Sequence, residues 1–462
     1  MKRYGNLWEN IISWENLVLA SKKARGGKRD RISVQNFEFN LEGQLLNLQK
    51  ELTAQTYCPG EFRSHWIYEP KKRMISVAPY RDRVVHHALM NVLEPILDCH
   101  FHPDNYACRK TKGTHKAADR LQKLMNRYAY CLQCDIQKFF PSIDHLILKQ
   151  IFRKLIKDKK VLWLMDLIVD SSNDQLGENL WFKGDDLFIP IERAKGLPIG
   201  NLTSQWFANW YLNNLDHFIT SHIRIGAYVR YCDDFIVLHN DKEFLKDTVC
   251  RIVTYLDKLR LKLNWRKVHI HSNRSGLSFV GYRIWPTHRL LKKKNVKRFQ
   301  NRLKWLKKEY AIGRLDWSGV KRRLDSWLGY AKHADAKCLV KCLSCNWIFS
   351  RGSVENESCS SRRQLEQQCI KLHGDQRQQQ HTIESQQQHR ISCCPALSEN
   401  FTRNHSVHGL CERGCESPDS IPVLRATAFM PLGRINVGRH GRSGRNISES
   451  PAWPKIFCRQ AA

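Results

Sequence analysis

Two adjacent carboxylates, Asp233 and Asp234, stand in "VRYCDDFIVLHN" (229–240), a run of β-branched and aromatic residues that otherwise reads as a buried strand. Burying even one unpaired carboxylate is costly, so the pair needs a positive partner. A second strand, "YAYCLQCD", ends in Asp135 about 100 residues earlier. Carboxylates brought together from adjacent strands can hold two Mg²⁺ ions about 4 Å apart, which activate a hydroxyl and stabilise a departing pyrophosphate. Metal would then supply the missing charge.

The elements that must position these residues follow from hydrophobic periodicity. Residues 6 to 55 predict two helices joined by the cationic loop "SKKARGGKRDR" (21–31). "KKRMISVAPY" predicts a strand stopped by Pro79, and "RDRVVHHALMNVLEPIL" a helix. The Asp135 strand is expected to run into a turn at Pro141, followed by helices from about 144 to 170, and "LGENLWFKGDDLFIPIERAKG" has hairpin character. A long helix after Pro198 leads to the strand of Asp233 and Asp234. Residues 245–261 are again helical, "LNWRKVHIHS" and "GLSFVGYRIWP" are strands, and 292–345 form basic amphipathic helices.

The chain of 462 residues is 42% hydrophobic, enough for a full core, and its net charge of +32 points to a polyanion as partner, nucleic acid before membrane. No apolar stretch reaches spanning length and the first residues lack a signal-peptide pattern, so no membrane association and a cytoplasmic location are expected. The 17 cysteines are scattered as free thiols rather than a disulfide framework. Cys131 with Cys134, and Cys338 with Cys342 and Cys345, could each contribute to a zinc site, but no second pair stands at zinc-finger spacing, which favours core or surface thiols.

Flanked by Tyr231 and "FIVL", the carboxylate pair resembles the Y-x-D-D motif of reverse transcriptases, and the other blocks follow in that family's order. "EPKKRMISVAPYRDRVVHHAL" and "YACRKTKGTHKAA" resemble the two fingers blocks, and "CDIQKFFPSIDH" the first catalytic palm motif. "KGLPIGNLTSQ" resembles the fourth block, "LNWRKVHI" the sixth and "LSFVGYRI" the primer grip. The resemblance implies an α+β right-hand polymerase. Its parts would be a helical N-terminal extension (1–59), fingers and a palm with an antiparallel sheet (60–287), a helical thumb (288–350) and a tail (351–462).

It implies roles residue by residue. Asp135, Asp233 and Asp234 would hold two Mg²⁺ ions, with the backbone carbonyl of Ile136 completing one site. Lys71 and Arg73 would hold the triphosphate, Phe140 would exclude a 2′-hydroxyl, and Lys267 would protonate departing pyrophosphate. In the fourth block most reverse transcriptases read Q-G-x-x-x-S-P, whereas this chain has Ile199, Gly200 and Gln205 in "IGNLTSQ". That departure resembles the enzymes of diversity-generating retroelements, which misincorporate opposite template adenines. An aliphatic side chain in place of an amide removes a geometric check on the incoming nucleotide, so infidelity is the expected direction.

The activity implied is RNA-directed DNA synthesis on a template RNA with a cDNA primer and dNTPs, in mutagenic retrohoming, with a basic accessory variability protein as partner. The cationic loop and the thumb helices are the candidate RNA surfaces. The alternatives are a group II intron or retron-type enzyme, and a non-catalytic RNA-binding protein that keeps the polymerase fold. Beyond about Gly352 the periodicity stops and Gln, Ser and His rise, which predicts disorder. Read one nucleotide later, the Gln runs at 361–368, 378–382 and 386–392 can become Asn runs. If those Gln codons are CAA, the tail is an out-of-frame translation of the template repeat; if they are CAG, it is a low-complexity Gln-rich linker.

Overall fold

The computed structural model describes residues 3–68, 72–172 and 179–348. The expected tail, and with it the out-of-frame hypothesis, lies outside the described residues. At the N-terminus four helices replace the expected two: α1 (Trp8–Ile12), α2 (Trp14–Ala24), α3 (Ile32–Phe39) and α4 (Leu41–Thr53). Ser13 leaves the helical conformation and caps α2 by accepting from the Asn16 amide, and Asn40 makes the second break. Ser21–Ala24 complete α2 because Ser21 and Ala24 are buried, so the cationic loop shrinks to 25–31.

Strands β1 (Arg63–Ile67) and β2 (Arg73–Val77) pair antiparallel. Then come α5 (Tyr80–His100), α6 (Thr114–Met125), β3 (Tyr130–Asp135) and the four-residue α7 (Phe139–Ser142). Pro141 therefore sits in a short helix rather than a simple turn, in a segment entered through Lys138 in a left-handed conformation. Helices α8 (His145–Leu155) and α9 (Lys159–Asp170) start on the side-chain caps of Asp144 and Asp158.

The hairpin expected over 176–196 is not formed in its described part. Asp185 accepts from the Phe182 amide at 2.9 Å and pairs with Arg193, while Asp186 accepts from Ile189 at 2.8 Å and leads into α10 (Ile189–Glu192). Carboxylates closing local turns have displaced the ladder. Helix α11 (Leu202–His217) continues into a π-turn at Phe218–His222.

The expected single strand around Asp233 is a hairpin, β4 (Tyr228–Tyr231) and β5 (Asp234–His239). After α12 (Lys242–Lys258) come β6 (His269–Ser272), β7 (Leu277–Phe279), β8 (Tyr282–Ile284) and β9 (Arg289–Leu291), then α13 (Lys293–Ala311), α14 (Trp317–Ala331) and α15 (Lys337–Ile348).

The central sheet has the order β4-β5-β3-β6, antiparallel throughout. Both of its faces are buried. Leu132, Cys134, Phe235 and Val237 point into the core shared with α5, α8, α11 and α12; Cys131, Ile236, Leu238 and Val229 point into a second core with α6, β7 and β8. Cys131 and Cys134 thus face opposite sides of one strand and cannot share a metal. Burial pushes the Cys131 thiol up to about 12 and Cys134 higher, as inert core thiols require.

The sheet β7-β8-β9 spans both sides of position 287. Helices α13, α14 and α15 share a small core of Phe299, Leu303, Leu306, Val320 and Leu343. Among the described residues no helix is long and apolar enough to cross a membrane.

Candidate active site

Asp135 closes β3 and lies opposite Asp234, the first residue of β5, in the antiparallel register. Asp233 occupies the turn between β4 and β5. That turn is reached through Cys232, whose φ of 56° is left-handed, a conformation that costs a non-glycine residue free energy and has to be held by its surroundings.

Arg230 holds it. Its guanidinium, fully buried, donates to the Cys232 carbonyl at 3.1 Å, to Asn209 at 3.1 Å, and through Nε and Nη2 to the Asp216 carboxylate at 2.6 Å each. Tyr228 also donates to Asp216 at 2.6 Å. The main chain of Arg230 pairs with Asp104 and Tyr106, both at 2.9 Å, so the hairpin is clamped from both sides.

Asp135 is nearly inaccessible. Its carboxylate accepts from Lys267 Nζ at 2.5 Å and from Asn264 Nδ2 at 3.1 Å. Lys267 belongs to a short 3-10 turn, Trp265–Lys267, and remains partly exposed. The bridge between Ile136 and Leu263 uses the Asp135 carbonyl and the Gln137 amide. In such a pair the carbonyl of Ile136 is directed away from that partner.

The electrostatics are those of an under-compensated cluster. Burial and then the charge of Asp135 raise the Asp233 carboxyl above its ordinary range, with Lys267 and Arg73 pulling the other way. Asp234 is pushed up to about 7, first by burial, then by Asp233 and Asp135. Among the described residues no group of three His, Cys, Asp or Glu side chains is drawn together tightly enough to hold an ion as it stands. The donor chemistry nevertheless fits magnesium: hard carboxylate oxygens from two strands, with the proton affinity of Asp233 and Asp234 raised and Asp135 already paired with an ammonium.

The fourth block serves as a connector. Leu197 donates to the Phe140 carbonyl at 2.9 Å and Gly196 to Ile143 at 2.8 Å, fixing α7. Ile199 accepts from Ser76 of β2 at 3.0 Å. Gly200 follows at φ +122°, and a Cβ there would meet the Ile75 side chain at 3.0 Å, so only glycine lets the turn lie this close to β2. Asn201 completes the joint, accepting from Ala78 and donating to the Ser76 carbonyl, both at 3.1 Å.

The structure therefore brings Asp135, Ile136, Asp233, Asp234 and Lys267 together at one sheet end, and Arg73 close enough to act on Asp233. Phe140 is half-buried against Phe139, and Ile199 lies on the turn against β2. Gln205 is half-buried in the first turn of α11, and Lys71 lies outside the described residues. Sequence reasoning missed Arg230, Asp216, Asn209, Asn201 and Asn264. Arg230 directly precedes the Tyr231 motif, the one signal that could have drawn attention to it.

Residues 68–284 match the family model "Reverse transcriptase (RNA-dependent DNA polymerase)". The chain is 24% identical over 312 residues to protein YkfC of Escherichia coli (strain K12), covering 58% of this chain and 78% of YkfC. It is also 24% identical over 181 residues to the group II intron-encoded protein LtrA of Lactococcus lactis subsp. cremoris, covering 38% of this chain and 28% of LtrA, under a third of that protein's length. A structure of apo telomerase from Candida tropicalis aligns with 50% of this chain and 48% of its own at 14% identity and a TM-score of 0.37. With the matched region enclosing every carboxylate of the cluster, residues 68–284 are a reverse transcriptase domain.

Proposed function

We infer that the chain is an RNA-directed DNA polymerase of right-hand architecture, with the central sheet as palm, β1 and β2 as part of the fingers and α13–α15 as thumb. The observation that carries this is the register of Asp135 against Asp234 beside Asp233, three carboxylates gathered from distant parts of the sequence. Asp135, Asp233, Asp234 and the Ile136 carbonyl would hold two Mg²⁺, which when bound would acidify a primer 3′-hydroxyl and neutralise the leaving pyrophosphate. Lys267, released from Asp135, would carry the proton given to that leaving group. Arg73, with Lys71, would hold the triphosphate, and Phe140 would screen the sugar.

Ile199 in place of the family's amide supports error-prone copying at template adenines, as in a diversity-generating retroelement with an accessory protein. Likeness to LtrA favours a second reading, an intron-type enzyme. Primer extension on an RNA template tests the first level: wild type should make Mg²⁺-dependent cDNA and Asp233→Asn none, and absence of product from both would leave an RNA-binding protein. Sequencing that cDNA tests the second level. Errors concentrated opposite adenines support the retroelement, whereas errors spread over all four bases favour the intron type.

A further inference from the structure

His145, the first residue of α8, is as buried as the core around it, and the proposed chemistry leaves it without a part. Its Nε2 lies 2.7 Å from the carbonyl oxygen of Gly196. A carbonyl only accepts, so Nε2 carries the proton, and burial keeps the imidazole neutral by lowering its proton affinity. Nδ1 is then an acceptor, buried and without a hydrogen-bond partner. That arrangement costs free energy which an apolar side chain of similar size would avoid, so the bond made by Nε2 needs a reason.

The reason lies in the peptide group it reaches. The Gly196 carbonyl and the Leu197 amide belong to one planar unit, with oxygen and N–H pointing in opposite directions. His145 donates to the oxygen on one side, and on the other the Leu197 N–H donates to the Phe140 carbonyl at 2.9 Å. A buried donor, a rigid plane and the main chain of Phe140 therefore stand in series. Helix α7 cannot hold Phe140 by itself: four residues are too few for a stable helix, and the segment is entered through left-handed Lys138. Gly196, at φ +99°, has no strong backbone preference to orient the plane, so its partners must do so.

The other end of His145 is equally fixed. Its amide donates to the Ala194 carbonyl at 3.1 Å, Gly196 donates to Ile143 at 2.8 Å, and between them fully buried Asp144 caps α8 and pairs with Arg260 at 2.7 Å. We propose that His145 is a positioning residue for sugar selection: through the Gly196–Leu197 peptide it sets where the Phe140 ring meets the incoming nucleotide, a role that rests on the reading of Phe140 as the screen against a 2′-hydroxyl.

Single-nucleotide incorporation by the full chain on an RNA template, with each dNTP and the matching rNTP, gives kcat and KM for both sugars. His145→Leu fills the site but cannot donate. It should raise rNTP efficiency relative to dNTP by about tenfold, the smaller end of what a one-methylene misfit is worth in a pocket, chiefly through KM for the rNTP. His145→Asn, too short to reach the Gly196 oxygen, should behave alike, whereas His145→Gln, whose amide extends about as far as Nε2, should restore the wild-type ratio. In a Phe140→Ala background His145→Leu should change the ratio no further, because no ring is left to place. General loss of packing would lower both sugars together, so an unchanged ratio overturns the positioning role. Should His145→Leu fail to fold, the Asn and Gln pair carries the test. Relaxed selection in Phe140→Ala with an unchanged ratio in the His145 variants removes His145 alone. Unchanged selection in Phe140→Ala removes the sugar screen and the route through it. A wild type that incorporates neither sugar overturns the polymerase reading, and this role with it.

Discussion

Asp234 titrates near neutrality because three carboxylates share one buried sheet end, and this has a signed consequence for stability. Its folded pKa, about 7, lies above the ordinary carboxylate value, so the folded state keeps a proton that the unfolded chain has released. Stability from this group is present at low pH and declines as pH rises from about 4 through 7. Buried His86 and His87, held at about 3 and 4, work in the opposite direction below neutrality, so the raw profile mixes the two. The difference in melting temperature between wild type and Asp234→Asn, measured in EDTA, isolates the carboxyl. Asp234→Asn should gain on wild type as pH goes from 5 to 8, and a constant difference would remove the cluster's repulsion from the account. Lys267 is the counter-ion of Asp135, and the proposed mechanism also makes it the proton donor. Lys267→Met should lower the extension rate by about 10²-fold while reducing the Mg²⁺ concentration needed for half-maximal rate, because the ion no longer displaces an ammonium. A higher Mg²⁺ requirement would remove the counter-ion function, and an unchanged rate would remove the proton donor.

At the scale of elements, the site depends on how β4 and β5 are joined. The Arg230–Asp216 pair is fully buried, and removing one partner strands a charge in the core. Arg230→Met should cost about 3–5 kcal/mol in urea unfolding, and adding Asp216→Leu should restore much of it. If the single change is nearly neutral, the hairpin has another support. This joint also marks where the sequence ceased to be legible. The alternation of β3 pointed directly to Asp135 as a strand end. The break in "VRYCDDFIVLHN" was hidden because a left-handed Cys232 carries no glycine or asparagine to announce a turn, and Asp216, inside a helix, looks like any solvated acid. The fourth block was readable for its departure from the family, but its service as a strut between α7 and β2 depends on contacts with residues more than 50 positions away. Helices between 6 and 55 were correctly typed but miscounted, because Ser13 and Asn40 break them without proline or glycine.

Across the whole described chain, apolar burial divides unevenly, and that division predicts which parts can open separately. The central sheet is covered on both faces by extensive cores, whereas α13, α14 and α15 share a small core of their own with Phe299 at the centre, its ring stacked on Trp327 at a centroid distance of 3.9 Å, and meet the second core through Val296, Ala331, Tyr330 and Leu339. Their remaining surface is dense in Lys and Arg, which repel one another at low salt. A polymerase whose basic helices must close on a duplex and release it would use such a weakly anchored unit. Phe299→Ala deletes a buried aromatic, a change that costs about 3–5 kcal/mol when the whole fold must absorb it. Here the cost should fall mainly on the three helices. Hydrogen exchange should therefore quicken across residues 293–348 while β3 and β5 keep their protection, since their cores are intact. Connections through Tyr282, which donates to the Tyr330 carbonyl at 3.1 Å, and Asn295, which donates to Gly281 at 3.2 Å, set how far the loosening spreads. Exchange that quickens equally in β3 and β5 would mean that these links, and not the small core, govern the helices' stability.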